Sequence, residues 1–179
     1  MALVPSTLGS PLAALFSGTG GYPANAGAAA TAWANAYAGY AASATAVLTV
    51  PVPADVTTAA GALATTLGNA FVHALTAGPP YYTTLVTDMV SAFSAFWPPV
   101  KFVSPPGAPP AVGVAAPPLP GALTDALTGF FVAGNPPSGP RPSGDSQATN
   151  LATLLDAWTR TVLVTNTPAT GTPSTAPLT

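Results

Sequence analysis

Proline doublets divide this chain into segments that no helix can cross. Gly78-Pro79-Pro80, Trp97-Pro98-Pro99 and Asn135-Pro136-Pro137 each close an apolar run. A proline has no amide donor, clashes with the preceding helical turn, and holds the residue before it in extended geometry. Between these stops the apolar side chains recur at three- and four-residue spacing, which is the period of an amphipathic helix.

That spacing predicts five helices. The first runs from near Ala24 to Leu48, with Trp33, Tyr37, Tyr40, Ala44 and Val47 in one stripe and Asn35 on another face. The second starts at Pro53, with Asp55 in a first turn where the helix dipole favours an anion. Its stripe is Val56, Leu63, Leu67, Phe71 and Leu75, and Gly78 ends it. The third covers about Tyr82 to Phe96, with Leu85, Met89, Phe93 and Phe96. The fourth covers about Ala122 to Val132, with Leu123, Leu127, Phe130 and Phe131. The last begins near Asp145, read as its N-cap, and uses Leu151, Leu154, Leu155, Trp158 and Val162.

Other segments read as extended. Residues 98–120 are Pro-rich, and the apolar pieces Val100-Lys101-Phe102-Val103 and Val112-Gly113-Val114 either pair as a short hairpin or lie along a neighbour. Residues 165–179, built of Thr, Pro, Ala and Gly, form an extended tail. The expected fold is therefore mainly α: a small bundle of about five helices with Pro-rich extended segments and one short hairpin. Its organisation is an N-terminal arm (1–23), a helical domain (24–164, with 98–120 as an extended insertion) and a C-terminal tail (165–179). Thr87-Asp88-Met89-Val90-Ser91-Ala92-Phe93 echoes Thr124-Asp125-Ala126-Leu127-Thr128-Gly129-Phe130. In so biased an alphabet the echo reads as coincidence, not duplication.

Charge is nearly absent. Three basic and five acidic side chains make 4% of 179 residues, and none precedes Asp55; an ordinary soluble domain carries about 25%. A surface this neutral associates readily, so the chain reads as a part of an assembly. Lys101, Arg141 and Arg160 are too few to displace the counterions of a nucleic acid, which excludes that partner. Residues 26–52 are uncharged, yet their Asn, Thr, Ser, Tyr and many Ala make a poor bilayer span, so no membrane is expected. Met1-Ala2-Leu3-Val4-Pro5 lacks the basic stretch of a secretory signal.

No chemistry stands out. There is neither Cys nor Glu. Asp55, Asp88, Asp125 and Asp145 fall at or near expected helix starts, and Asp156 lies four residues before Arg160, the favourable order for a helical ion pair. His73 has no second ligand one turn away and reads as a partly buried helix histidine. A Ser-His-Asp hydrolase would lack its Gly-x-Ser-x-Gly elbow. The expectation is a chain with no catalytic, cofactor or metal site. Tyr81 and Tyr82, directly after two prolines, are interface candidates because tyrosine suits contacts that are apolar yet wet. Phe102, Val112, Val114 and Leu178, on the extended segments, join them as candidate contacts.

The run Ala32-Trp33-Ala34-Asn35-Ala36-Tyr37 with Tyr40 and Ala41, and the helix exit Phe93-x-x-Phe96-Trp97-Pro98-Pro99-Val100, resemble small structural proteins of tailed bacteriophages. The closing run from Leu155 to Val164, followed by a Pro/Thr tail, fits the same group, and the likeness spans roughly residues 24–179. The resemblance implies a non-enzymatic virion component that assembles with copies of itself and other virion proteins, at the neck or head–tail connection before the capsid surface or baseplate. The alternative reading is a secreted or cell-envelope Ala-rich helical interaction protein, against which stands the missing Trp-x-Gly turn.

Overall fold

The computed structural model describes residues 3–18, 21–47, 51–76, 81–103, 112–116, 120–135, 139–166 and 174–179. It is mainly helical, and the helices number six among the described residues where five were expected. They are α1 (Pro5–Ser17), α2 (Ala26–Ala41), α3 (Thr57–Thr76), α4 (Tyr81–Phe96), α5 (Pro120–Gly134) and α6 (Gly144–Thr159). Six short strands join them: β1 (Thr45–Val47), β2 (Pro51–Asp55), β3 (Lys101–Val103), β4 (Val112–Ala116), β5 (Leu163–Asn166) and β6 (Ser174–Pro177). The chain order is thus two helices then two strands, three times over.

The three units correspond residue by residue. Each first helix buries a Leu–Leu pair one turn apart and sets a half-buried Phe one turn further on: Leu8, Leu12 and Phe16; Leu63, Leu67 and Phe71; Leu123, Leu127 and Phe131. Each second helix ends in the same backbone hydrogen bond, from Ala44 N to Ala41 O, Val100 N to Trp97 O and Val162 N to Thr159 O. Each exit then starts a strand with a buried residue at the same register position, Ala46, Phe102 or Val164. The echo between 87–93 and 124–130 is not this repeat, since it aligns a second helix with a first. The repeat itself runs in another phase.

All strands pair antiparallel in chain order, and the sheet closes. Ala46 bridges Leu178, and Thr45 and Thr179 exchange backbone hydrogen bonds of 3.1 Å. That seam repeats the unit boundaries, where Ala54 faces Phe102 and Ala115 faces Val164. The inward layer therefore sets a small side chain beside a larger one at every boundary: Ala54 by Phe102, Ala115 by Val164, Ala46 by Leu178. A six-stranded barrel is narrow, and alternating sizes fill it without strain. Around the chain, α1 packs on α2 and α6, α3 on α2 and α4, and α5 on α4 and α6, so the helices also form a closed ring. Because each strand pair follows a second helix, and the first two pairs lead into the next first helix, the ring and barrel stack end to end. The C-terminal ends of α1, α3 and α5 and the N-terminal ends of α2, α4 and α6 lie at the opposite end, the apex.

Several expectations change. Residues 5–17 are a helix and not an arm: Pro5 sits in its first turn, and α1 buries Leu8 and Leu12 despite the helix-breaking Pro11. Gly9 lets it approach α6 closely, 3.5 Å from an added Cβ to Ala152 Cβ. The α2 helix ends at Ala41, because the next residues are needed as β1. Pro51–Asp55 is strand, so α3 starts at Thr57 and not Pro53. Leu75 is 79% exposed and leaves the expected stripe. Ser143, not Asp145, caps α6 by accepting from Ser146 N. The hairpin of Lys101–Val103 with Val112–Ala116 forms, and the C-terminal residues pair as β5 with β6.

Candidate functional site

Just above the barrel the second helices gather the buried polar groups. Tyr37 packs edge-on against Phe93, Phe96 and Trp97, with ring centroids 4.8, 5.0 and 6.4 Å away. Its hydroxyl accepts from Trp97 Nε1 at 3.1 Å and shares a hydrogen bond with Thr159 Oγ1 at 2.8 Å. Burial drives this phenol above its ordinary range, more than the two hydrogen bonds lower it. One turn on, Tyr40 donates to Asp156 Oδ1 at 2.6 Å. Burial first, then the hydrogen bond and negative charge of Asp156, push the Tyr40 phenol up as well.

Arg160 completes this network. Its Nε donates to Asp156 Oδ2 at 2.8 Å and its terminal nitrogen to the Leu3 carbonyl at 2.6 Å. The hydrogen bond to Asp156 raises the already high guanidinium pKa. The expected ion pair of Asp156 with Arg160 is present, and it does more than the spacing implied: it ties α6 to α2 and to the residues before α1. Chemically this is a lock. Both phenols, the carboxylate and two of the guanidinium nitrogens each engage another protein group, while Ser94 Oγ and Trp158 Nε1, both buried, have no protein partner.

The second polar place is open. Between α3 and α4 lies a cleft of about 390 Å³ lined by Thr66, Asn69, Ala70, His73, Asp88 and Ser91. His73 Nδ1 lies 2.8 Å from Asp88 Oδ2, and the His73 side chain is 61% exposed. It is therefore a surface histidine and not the partly buried one expected. The equivalent cleft between α5 and α6 is lined by Ala126, Phe130, Ala133, Gly134 and Asn150 among others, so the imidazole–carboxylate pair belongs to one unit only. An aspartate orienting an imidazole is an element of both metal and hydrolytic sites. Here Ser91 Oγ donates back to Thr87 O, and no group of three or more metal-binding side chains occurs among the described residues.

The remaining charges are sparse. Asp55 accepts from Thr57 N and Oγ1 at 3.1 and 2.8 Å; these bonds, helped by Lys101 across the sheet, hold its carboxyl below the usual range. Asp125, Arg141 and Asp145 are exposed and have no ion pair within the described chain. Among the described residues no helix is long and apolar enough to cross a membrane.

The expected contact residues divide. Phe102 and Leu178 are 0% and 2% exposed. They fill the barrel of their own chain, so they are core and not contact side chains, because the extended segments find their pairing partners internally. The side chains of Tyr81, Val112 and Val114 lie outside the described residues. Tyr82 is half-buried at the start of α4, at the apex. There the exposed apolar residues missed by sequence reasoning also lie: Tyr22 at 73%, Val72 at 53%, Leu75 at 79% and Val132 at 49%. Their one sequence signal was position, each falling within a few residues of a Gly/Pro-rich connection. Comparison with known proteins gives no match to a family model, to a curated protein or to a solved structure.

Proposed function

We propose that this chain is a non-enzymatic structural subunit of a tailed-phage virion, built into a symmetric ring or shell, at the neck or head–tail connection in preference to the capsid surface or baseplate. The observation that carries the assembly part of this reading is the neutrality of the outer helix faces. Neither α1 nor α2 has a charged residue, and Asp55, Asp88, Asp156 and Arg160 are engaged within the chain. Apart from the scattered charges of Lys101, Asp125, Arg141 and Asp145, what remains outside is largely Ala, Ser, Thr and Gly with exposed apolar groups, a surface suited to burial against neighbours. The virion itself is suggested by the resemblance alone.

Closure of the barrel changes how such a subunit would make contact. With both neighbours of every strand supplied by its own chain, strand addition by a partner has no open edge to use. Contacts fall instead to helix faces and to the apex. Mass spectrometry of purified particles from the phage encoding this chain tests the proposal: the chain should be present at stoichiometric multiples of the other structural proteins, and its absence would end the reading.

A further inference from the structure

We propose that the apex is a two-fold interface between two copies of this chain. The inference rests on the assembly reading and assigns it a surface and a first partner. The apex holds four of the large apolar side chains that the molecule leaves most open: Tyr22, Val72, Leu75 and Val132. Val72 and Val132 occupy equivalent positions near the ends of α3 and α5. Tyr22 lies with its ring over Gly18, whose left-handed φ of 68° ends α1, and an added Cβ there would sit 2.7 Å from the ring. The ring is thereby held in place with its outer face in water.

Charge selects the occupant. Arg141, exposed between Pro140 and Pro142, is the one cation among the described residues with no carboxylate partner beside it. Asp145, exposed in the first turn of α6, has no cation. Gly144 seats that turn against the end of α1, where an added Cβ would meet Phe16 C and O at 2.8 Å, so Asp145 stands on a fixed base. A two-fold axis brings residue i of one copy onto j of the other and j onto i. Arg141 of each copy then meets Asp145 of its neighbour, and these two of the three unpaired charges are satisfied twice around an apolar centre. A partner of one sign would satisfy one charge and leave the other facing a like charge.

Sedimentation velocity on the purified full-length chain, from about 1 to about 100 µM, tests this. The expected result is a monomer–dimer equilibrium. Arg141→Asp and Asp145→Arg each weaken it tenfold or more, the double reversal restores it to within about threefold, and Leu75→Asp weakens it at least tenfold. All three sites are exposed, and an unchanged thermal midpoint checks that each of the four variants is folded. A chain that stays monomeric throughout, a dimer indifferent to these changes, or larger species that ignore them because another surface or another protein is the partner would each overturn the apical interface. The virion reading would survive such a result if the chain were still found in particles, and would fail separately if it were not.

Discussion

Tyr40 stands between two charged neighbours and carries a proton it cannot easily lose. Tyr40→Phe would leave Asp156 Oδ1 buried with one bond fewer, at a cost of about 1–3 kcal/mol in urea unfolding. Ser94→Ala removes a buried hydroxyl without a protein partner and should be neutral or stabilising in the same assay. Alkaline titration reads both inner phenols. In the unfolded chain they ionise near their ordinary value of 10.0, while burial holds them protonated in the fold. Above that pH the unfolded state binds fewer protons, so their contribution is complete below pH 10 and stability falls as pH rises beyond it, by up to about 1.4 kcal/mol per unit for each phenol. A flat stability between pH 9 and 11 would contradict the burial of Tyr37 and Tyr40. At this scale the sequence exposed only what is local. The Asp156–Arg160 pair follows from helical spacing. His73 meets Asp88 only because α4 packs back along α3, and Tyr40 meets Asp156 across most of the chain.

Elements bounded by proline doublets were legible, and elements that depend on tertiary contact were not. For α4 and α5, strong apolar periodicity between hard stops gave bounds within two residues. Pro11 and Gly9 disguise α1, since both are poor helix formers that packing on α6 overrides. Thr45–Val47 and Pro51–Asp55 look unlike strands because β2 contains two prolines; they pair because the barrel needs them. Glycines separate the two kinds of constraint. Gly144→Ala drives a Cβ into the backbone of Phe16 and Ser17, and should cost about 1–3 kcal/mol by calorimetry. Gly129, inside α5 with nothing within 4 Å, should accept alanine with a gain of about 0.5–1 kcal/mol. Equal effects at the two sites would mean that α6 does not sit on the end of α1.

At the scale of the molecule, three two-helix, two-strand units close a ring of helices over a barrel. The Leu–Leu–Phe spacing of the first helices was present in the sequence, but unequal connections and the exchange of Tyr37 for Phe93 and Leu155 concealed the period. Closure leaves helix faces and the apex as the outward surface, and that surface is almost without charge. Under the proposed function the chain works covered by its neighbours, as one of many copies. Electron cryomicroscopy of the particle whose genome encodes it is the direct measurement. The account predicts density for this fold repeated around a symmetry axis of the particle, with the apex against another copy and the neutral helix faces buried. A particle resolved throughout without this fold, or with single copies whose helix faces lie bare to solvent, would contradict it.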